Sequence, residues 1–594
     1  MFLPTTKEEM QKLGWDKPDI ILISGDTYID SPFIGAAVIG NFLYSKGFKT
    51  AIIAQPNTKT DDIARLGEPR LFWGVTAGAM DSLVSNWTAL NKFRNDDDLT
   101  AGAINNRRPD RASMAYTNLI RRYFKNTKPI VLGGVEASLR RIAHYDFKDN
   151  ALRRSILFDS KADILIYGMG EKTTWELAEE LRKIDDSNAL RARLKQQTQD
   201  ENVNWQNRRG RSMCLPFQQI RDENAPWQNI KGLCYISKTP QKDALEIASF
   251  EKCMENKDNF LEAFNTFYKN CISENEKTLI QKHNDRYLIH NPKQPILKME
   301  ELDEIYDLPY TREVHPFYAK FGKVKAQDTI KFSITSHRGC FGECNFCSIA
   351  VHQGKVVVSR SEKSIIKEAQ SITQLKDFKG YISDAGGPTA NMLYAYCKKH
   401  EHAGCEKNRC LFPEACQNLI YGHDKQIEIL KKISALDNVK KVFVSSGIRY
   451  DMICADKENG QKYLEEISKN HISGQMKIAP EHFNDKVLEL MGKPSAKNLN
   501  EFKDNFKKAS NGAQFLTYYF IAAYPGCSQK EMQDLQNFIK RDLKLRPEQV
   551  QIFTPTPSTI AALFYYCEKD LNGAPIFVEK DRNEKQKQKR MICG

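Results

Sequence analysis

The chain lacks any run of roughly 18 consecutive apolar residues, so no membrane-spanning helix is expected. Its start, Met1-Phe2-Leu3-Pro4-Thr5-Thr6-Lys7, lacks a basic segment followed by an apolar one. No secretory signal is therefore expected, and the expected location is cytoplasmic with no membrane partner. Cysteine is absent before Cys214, which excludes thiolate metal chemistry from the first third of the chain. An Asp-x-His-x-x-Gly pattern, which would supply a lower axial ligand to cobalamin, is also missing, so cobalamin is not expected. Basic residues interleaved with aromatics, the mark of an RNA-binding face, are not found. The net charge of +13 is compatible with RNA as a partner, but a solvated basic surface explains it as well.

What is present is 594 residues, too long for one ordinary core, so two or three domains are expected. With 41% hydrophobic and 27% charged residues the chain reads as folded throughout most of its length. Residues 1–185 alternate short apolar runs with helix-like segments: Asp19 to Ser24, Thr50 to Ala54, Leu71 to Thr76, Pro129 to Gly133 and Ala162 to Tyr167. Such runs suit strands buried on both faces and predict a doubly wound α/β domain, cobalamin-binding-like in pattern. Its strand ends carry Gly25-Asp26-Thr27-Tyr28 and Gly133-Gly134-Val135-Glu136, where ligands of such sheets sit. Residues 186–325 read as a connecting and capping region, with a loop over Gln196 to Asn207, a basic group at Arg208, Arg209 and Arg211, and a helix over Phe250 to Glu274.

Residues 326–565 return to β-α alternation. Six strand candidates, beginning at Ile330, Gly380, Val442, Gln475, Phe515 and Val550, predict a partial (β/α)6 barrel of the TIM type. Residues 566–594 are expected to be a basic, disordered tail.

The chemistry gathers just after the first barrel strand, where Cys340, Cys344 and Cys347 form C-x3-C-x2-C. Three close thiolates can hold three irons of a [4Fe-4S] cube and leave the fourth without a protein ligand, free to bind S-adenosylmethionine (SAM). Zinc normally takes four ligands, and no fourth cysteine completes this group locally. Gly386 and Gly387 follow the second strand and permit close backbone approach to the SAM amino group. Ser445, Ser446 and Arg449 end the third strand; hydroxyls suit a ribose, and a guanidinium suits a carboxylate. A second group, Cys397, Cys405, Cys410 and Cys416, stands inserted at 397–416 and is a candidate zinc or second iron-sulfur site, with ordinary free thiols as the alternative.

The segments Ser333 to Gly342, His352-Gln353-Gly354, Ser383 to Met392, Ser445 to Asp451, Lys477 to His482 and Tyr524 to Cys527 resemble the YgiQ-type radical SAM proteins. So do Gly25 to Pro32 and Leu132 to Ser138. The resemblance covers nearly the whole chain. It implies that Cys340, Cys344 and Cys347 ligate the SAM cluster, that SAM is cleaved reductively to a 5′-deoxyadenosyl radical, and that the radical takes hydrogen from a substrate it does not name. A reducing partner such as flavodoxin or ferredoxin is implied with it. Two rivals remain: methylthio transfer to RNA, whose enzymes carry cluster cysteines in the amino-terminal domain, absent here; and a non-catalytic iron-sulfur protein for electron transfer or RNA binding.

Overall fold

A computed structural model describes residues 1–200, 227–399, 405 and 409–593. The basic group at 208–211, Cys214 and most of the loop expected over 196–207 lie outside the described residues.

The first strand, β1 (Ile20–Ser24), is buried along its length and leads into α1 (Gly35–Ser45). Strands β2 (Thr50–Ala54), β3 (Phe72–Thr76), β4 (Ile130–Gly133) and β5 (Ile164–Ile166) follow, with α2 (Ala112–Tyr123) before β4 and α3 (Gly134–Leu139) directly after it. Helix α4 (Glu171–Asp200) leaves β5. The five strands pair in parallel in the order β2-β1-β3-β4-β5. Ile, Val and Leu dominate them because both faces are covered, which is why the sequence shows apolar runs rather than alternation.

The expected connecting region is instead part of this sheet. Strands β6 (Leu233–Ser237), β7 (Leu245–Ile247), β8 (Leu279–His283) and β9 (Arg286–His290) extend it to nine in the order β5-β6-β9-β8-β7. The extension is mostly antiparallel: β6 pairs with both β5 and β9, and β9 with β8. Antiparallel neighbours need no helical crossover, so the βα rhythm that flagged the first five strands is missing here. Phe250 to Glu274, read as one helix, divides at Asn256, whose side chain caps α5 (Lys257–Ile272).

The barrel strands are β10 (Ser333–Thr335), β11 (Tyr381–Ile382) continued by β12 (Asp384–Gly386), β13 (Lys441–Val442), β14 (Gln475–Glu481), β15 (Phe515–Ala522) and β16 (Gln549–Ile552). All pairings between them are parallel and follow chain order, β10 with β12, β11 with β13, β14 with β15 and β15 with β16. A parallel bridge from Ile448 to Ile478 joins the third and fourth positions. This is the expected partial (β/α)6 barrel. One apolar core runs through both halves, and Tyr145 of the amino-terminal half meets the Tyr565 ring at 5.8 Å between centroids.

The expected disordered tail is a helix, α6 (Arg582–Cys593). Its Gln588 is fully buried and closes the barrel wall: Oε1 accepts from Ala523 N at 2.9 Å and Nε2 donates to Cys527 O at 3.3 Å. The charge-rich sequence hid a one-sided helix, with Gln588 and Ile592 four apart on the inner face. Among the described residues no helix is long and apolar enough to cross a membrane.

Candidate SAM and cluster site

The cysteine loop leaves β10 through Ser336, His337 and Arg338. Gly339 has φ +79°, and a Cβ there would stand 2.0 Å from Val356 O, so only glycine makes this bend. Asn345 pins the loop from the other side: its N–H donates to Met491 O at 2.9 Å, its Nδ2 to Leu490 O at 2.8 Å, and its carbonyl accepts from Ala561 N at 2.9 Å. Phe346 packs edge-on against Tyr524.

The three thiols are free of disulfides and half-buried. Burial first, then the neighbouring Cys344 and Cys340, pushes the Cys347 thiol up to about 12. Burial also raises Cys340, against the pull of Thr389, whose Oγ1 lies 3.3 Å from Cys340 Sγ. Gly342 N–H points at Cys340 Sγ at 3.4 Å. Cys340 and Cys347 therefore favour the protonated thiol, and binding iron, which needs the thiolate, would release those protons. Among the described residues no three His, Cys, Asp or Glu side chains close round a single ion. Three thiols on one loop are the kind of donor set that a cluster held at three corners would use.

Arg449 is the cation beside the thiols. Its Nη1 is 3.7 Å from Cys344 Sγ, while Nε and Nη2 bind Asp451 at 2.8 and 2.6 Å. Burial works against its charge, but Asp451 and then the thiols hold it protonated well above the ordinary value. The guanidinium expected at the SAM carboxylate is thus committed to Asp451 and the cysteine loop.

Gly386 and Gly387 form the edge of β12. A Cβ on Gly387 would lie 2.5 Å from His337 Cε1, so the imidazole and the backbone are in direct contact. His337 Nδ1 meets Ser336 Oγ at 2.9 Å, and burial lowers its pKa to about 4. Ser445 and Ser446 lie next to this edge. Their N–H groups donate to Asp384 Oδ1 at 2.8 and 3.1 Å, Ser445 Oγ donates to Ser383 O at 2.8 Å, and Ser446 Oγ bonds Asp384. The hydroxyls expected at a ribose are therefore used to fold the loop. Thr389, Asn345 and Asp451 sit inside or beside the sequence motifs, but only the fold gives them these contacts.

The second cysteine group is only partly assembled. Cys397 lies on a two-residue ladder opposite Leu419, and Cys416 N–H donates to Cys410 O at 2.8 Å. Burial pushes the Cys410 thiol up to about 12; Lys355 opposes this, and Glu343, Cys397 and Cys416 add to it. Cys405 contributes its carbonyl to Lys355 Nζ at 3.2 Å. The four-thiol metal site expected from the spacing is not closed among the described residues.

Comparison with known proteins agrees with this architecture. A family described as Radical SAM N-terminal matches residues 2–333, and the Radical SAM superfamily matches residues 334–539. The boundary falls at β10. A UPF0313 protein of Fusobacterium nucleatum subsp. nucleatum is 51% identical over 598 residues, covering 100% of this chain and 98% of that protein. A UPF0313 protein of Thermotoga maritima is 43% identical over 603 residues, with 100% and 98% covered. Among solved structures, the radical SAM methyltransferase TsrM of Kitasatospora setae, with cobalamin and [4Fe-4S] cluster bound, has a TM-score of 0.48 at 12% identity, covering 92% of this chain and 77% of its own. The cobalamin-dependent SAM radical enzyme OxsB has a TM-score of 0.47 at 11% identity, covering 96% and 58%. Both of those proteins hold cobalamin, so the expectation against it gains no support from them, and at this similarity no ligand is carried across. The family matches and the full-length identities together establish that the chain belongs to the UPF0313 family, the YgiQ-type radical SAM proteins.

Proposed function

We propose that the chain is a radical SAM enzyme acting on a substrate bound at the barrel mouth, with Cys340, Cys344 and Cys347 holding a [4Fe-4S] cluster. When bound, that cluster supplies the electron for reductive cleavage of SAM to a 5′-deoxyadenosyl radical. The observation that carries the reading is the loop of three half-buried, disulfide-free thiols beside Arg449, set against the Gly386-Gly387 edge.

The chain's own residues have separate tasks. Arg449, steadied by Asp451, offsets the negative charge of the thiolates. Asn345 and Gly339 fix the loop that presents them. Gly386 and Gly387 offer backbone at the strand end to the SAM amino group, and Asp384 shapes the Ser445-Ser446 turn alongside. Phe346 and Tyr524 wall the loop with aromatic surface that excludes water.

Anaerobic loading with iron and sulfide, then reduction with SAM present, is the test. The wild-type protein is expected to bind iron and release 5′-deoxyadenosine, and Cys344→Ala to release none. Iron bound and reduced without 5′-deoxyadenosine would overturn the reading in favour of a non-catalytic iron-sulfur protein.

A further inference from the structure

Between the carboxyl edge of the amino-terminal sheet and the barrel mouth lies a cavity of about 430 Å³. Ile34, Val38, Val131 and Ile166 line it from the sheet side, and Gly387 and Ser446 from the barrel side. It sits outside the ends of β1 and β3, where chain order reverses direction across the sheet, the usual ligand crevice of this topology.

We propose that this cavity is the substrate chamber of the enzyme argued above, and that it takes a small molecule with an apolar body and a hydrogen-bond donor, an amine or hydroxyl, received by Glu171. The inference rests on that functional reading for the name substrate, and on the cavity alone for the ligand's chemistry.

Glu171 begins α4, just past the Gly168-Met169-Gly170 turn, and its side chain is 3% exposed. Oε1 accepts from Arg338 Nη1 at 2.6 Å, which joins the sheet domain to the strand end that leads into the cysteine loop. Oε2 is equally buried and has no partner among the described residues. A buried carboxylate oxygen left without a donor is unfavourable, and native proteins keep such atoms where a ligand completes them.

The other acids in the wall are already satisfied. Asp26 accepts from Arg108 Nη2 and Ala79 N, each at 2.6 Å. Asp384 is taken by Ser445 and Ser446. Arg338 offsets the charge of Glu171, so the open oxygen accepts a neutral hydroxyl as readily as an ammonium. The aliphatic wall supplies the area for an apolar body.

The test uses the full chain as purified, without iron loading and without SAM, and follows binding of n-hexylamine, n-hexanol and the donor-free 2-heptanone by calorimetry. The two donors are expected to bind about tenfold more tightly than the ketone, the factor set by one satisfied buried acceptor. Glu171→Gln places an amide N–H where Oε2 stood and should drop n-hexylamine below the ketone, while n-hexanol, whose hydroxyl also accepts, stays bound. Ile39→Trp fills the apolar wall and should weaken all three, which keeps the proposal testable if the glutamine variant fails to fold. Absence of binding, no donor preference in the wild type, an unchanged order in Glu171→Gln, or full affinity in Ile39→Trp would each overturn it. Loss of 5′-deoxyadenosine formation would sink the functional reading alone, because this binding is measured without cluster or SAM.

Discussion

The sheet half and the cysteine loop of the barrel treat buried charge in opposite ways, although the barrel wall has a closed network of its own in Arg312, Arg360 and Glu368. Beyond the amino-terminal strands, Arg108 sits between Asp26 at 2.6 Å and Asp97 at 3.1 Å, and Arg140 between Asp81 at 2.6 Å and Asp146 at 2.8 Å. These groups are almost fully enclosed, and each has its countercharge. In the barrel, three thiols share Arg449, which Asp451 already engages. The barrel strands that lead into the site are short-paired as well: β11 and β13 pair through two residues, where β1 and β2 pair through five; β14 and β15, on the other side of the barrel, pair through five. A closed ion network and long ladders make a rigid wall. Short ladders with incompletely paired ligands at their ends make a site that is finished by what it binds.

Breaking the wall should have the largest effect on stability. Arg108→Met leaves Asp26 and Asp97 buried without their countercharge, with only neutral donors remaining, and a cost of about 3–5 kcal/mol is expected. Urea denaturation measures it; an unchanged midpoint would show that the network is not what stiffens this half. On the barrel side, Gly387→Ala forces a methyl group against the His337 ring. Destabilisation of about 1–3 kcal/mol is expected, together with weaker SAM binding by calorimetry. A variant with wild-type melting temperature and SAM affinity would mean that the β12 edge is looser than its contacts indicate.

The smallest effect per group is shared by both halves and is read with pH. Burial lowers His144, His337 and His352 to about 4, and His283 and His482 to about 3, from 6.5. The folded state therefore prefers the neutral rings and the unfolded state binds protons first. Their stabilisation is present above about pH 6.5 and is lost as pH falls toward 4, by about 1 kcal/mol for each ring at pH 5.5. Melting curves from pH 7.5 to 5 check the sign. A His337→Gln variant should flatten the slope by a fraction, and a melting temperature that rises on acidification would contradict the assignment.

Much of this was legible beforehand, for identifiable reasons. Thr50–Ala54 was bounded to the residue, because a strand covered on both faces is apolar nearly end to end, and the start of Phe515–Ala522 was found from its aromatic and β-branched run. The C-x3-C-x2-C spacing put three thiols on one loop, and membership of the radical SAM superfamily agrees with that reading. The antiparallel strands Leu233–Ser237 and Arg286–His290 were missed, because polar connections conceal strands that need no helical crossover. The Arg582–Cys593 helix was missed because its inner face is carried by Gln588, whose burial depends on acceptors and donors far away in sequence. Arg449, Ser445 and Ser446 were expected to meet SAM, but their engagement with Asp451, Ser383 and Asp384 could not be read from residue type.

By itself the sequence determined the two-part α/β architecture and placed Cys340, Cys344 and Cys347 on one short loop, because apolar periodicity and local spacing are properties of neighbouring residues. Tertiary structure alone decided which charges are closed and which stay open. Arg338 and Glu171 are 167 positions apart, and only packing brings them to one cavity wall. Whether a buried polar atom finds a partner depends on the whole surrounding surface, and no stretch of chain contains that information.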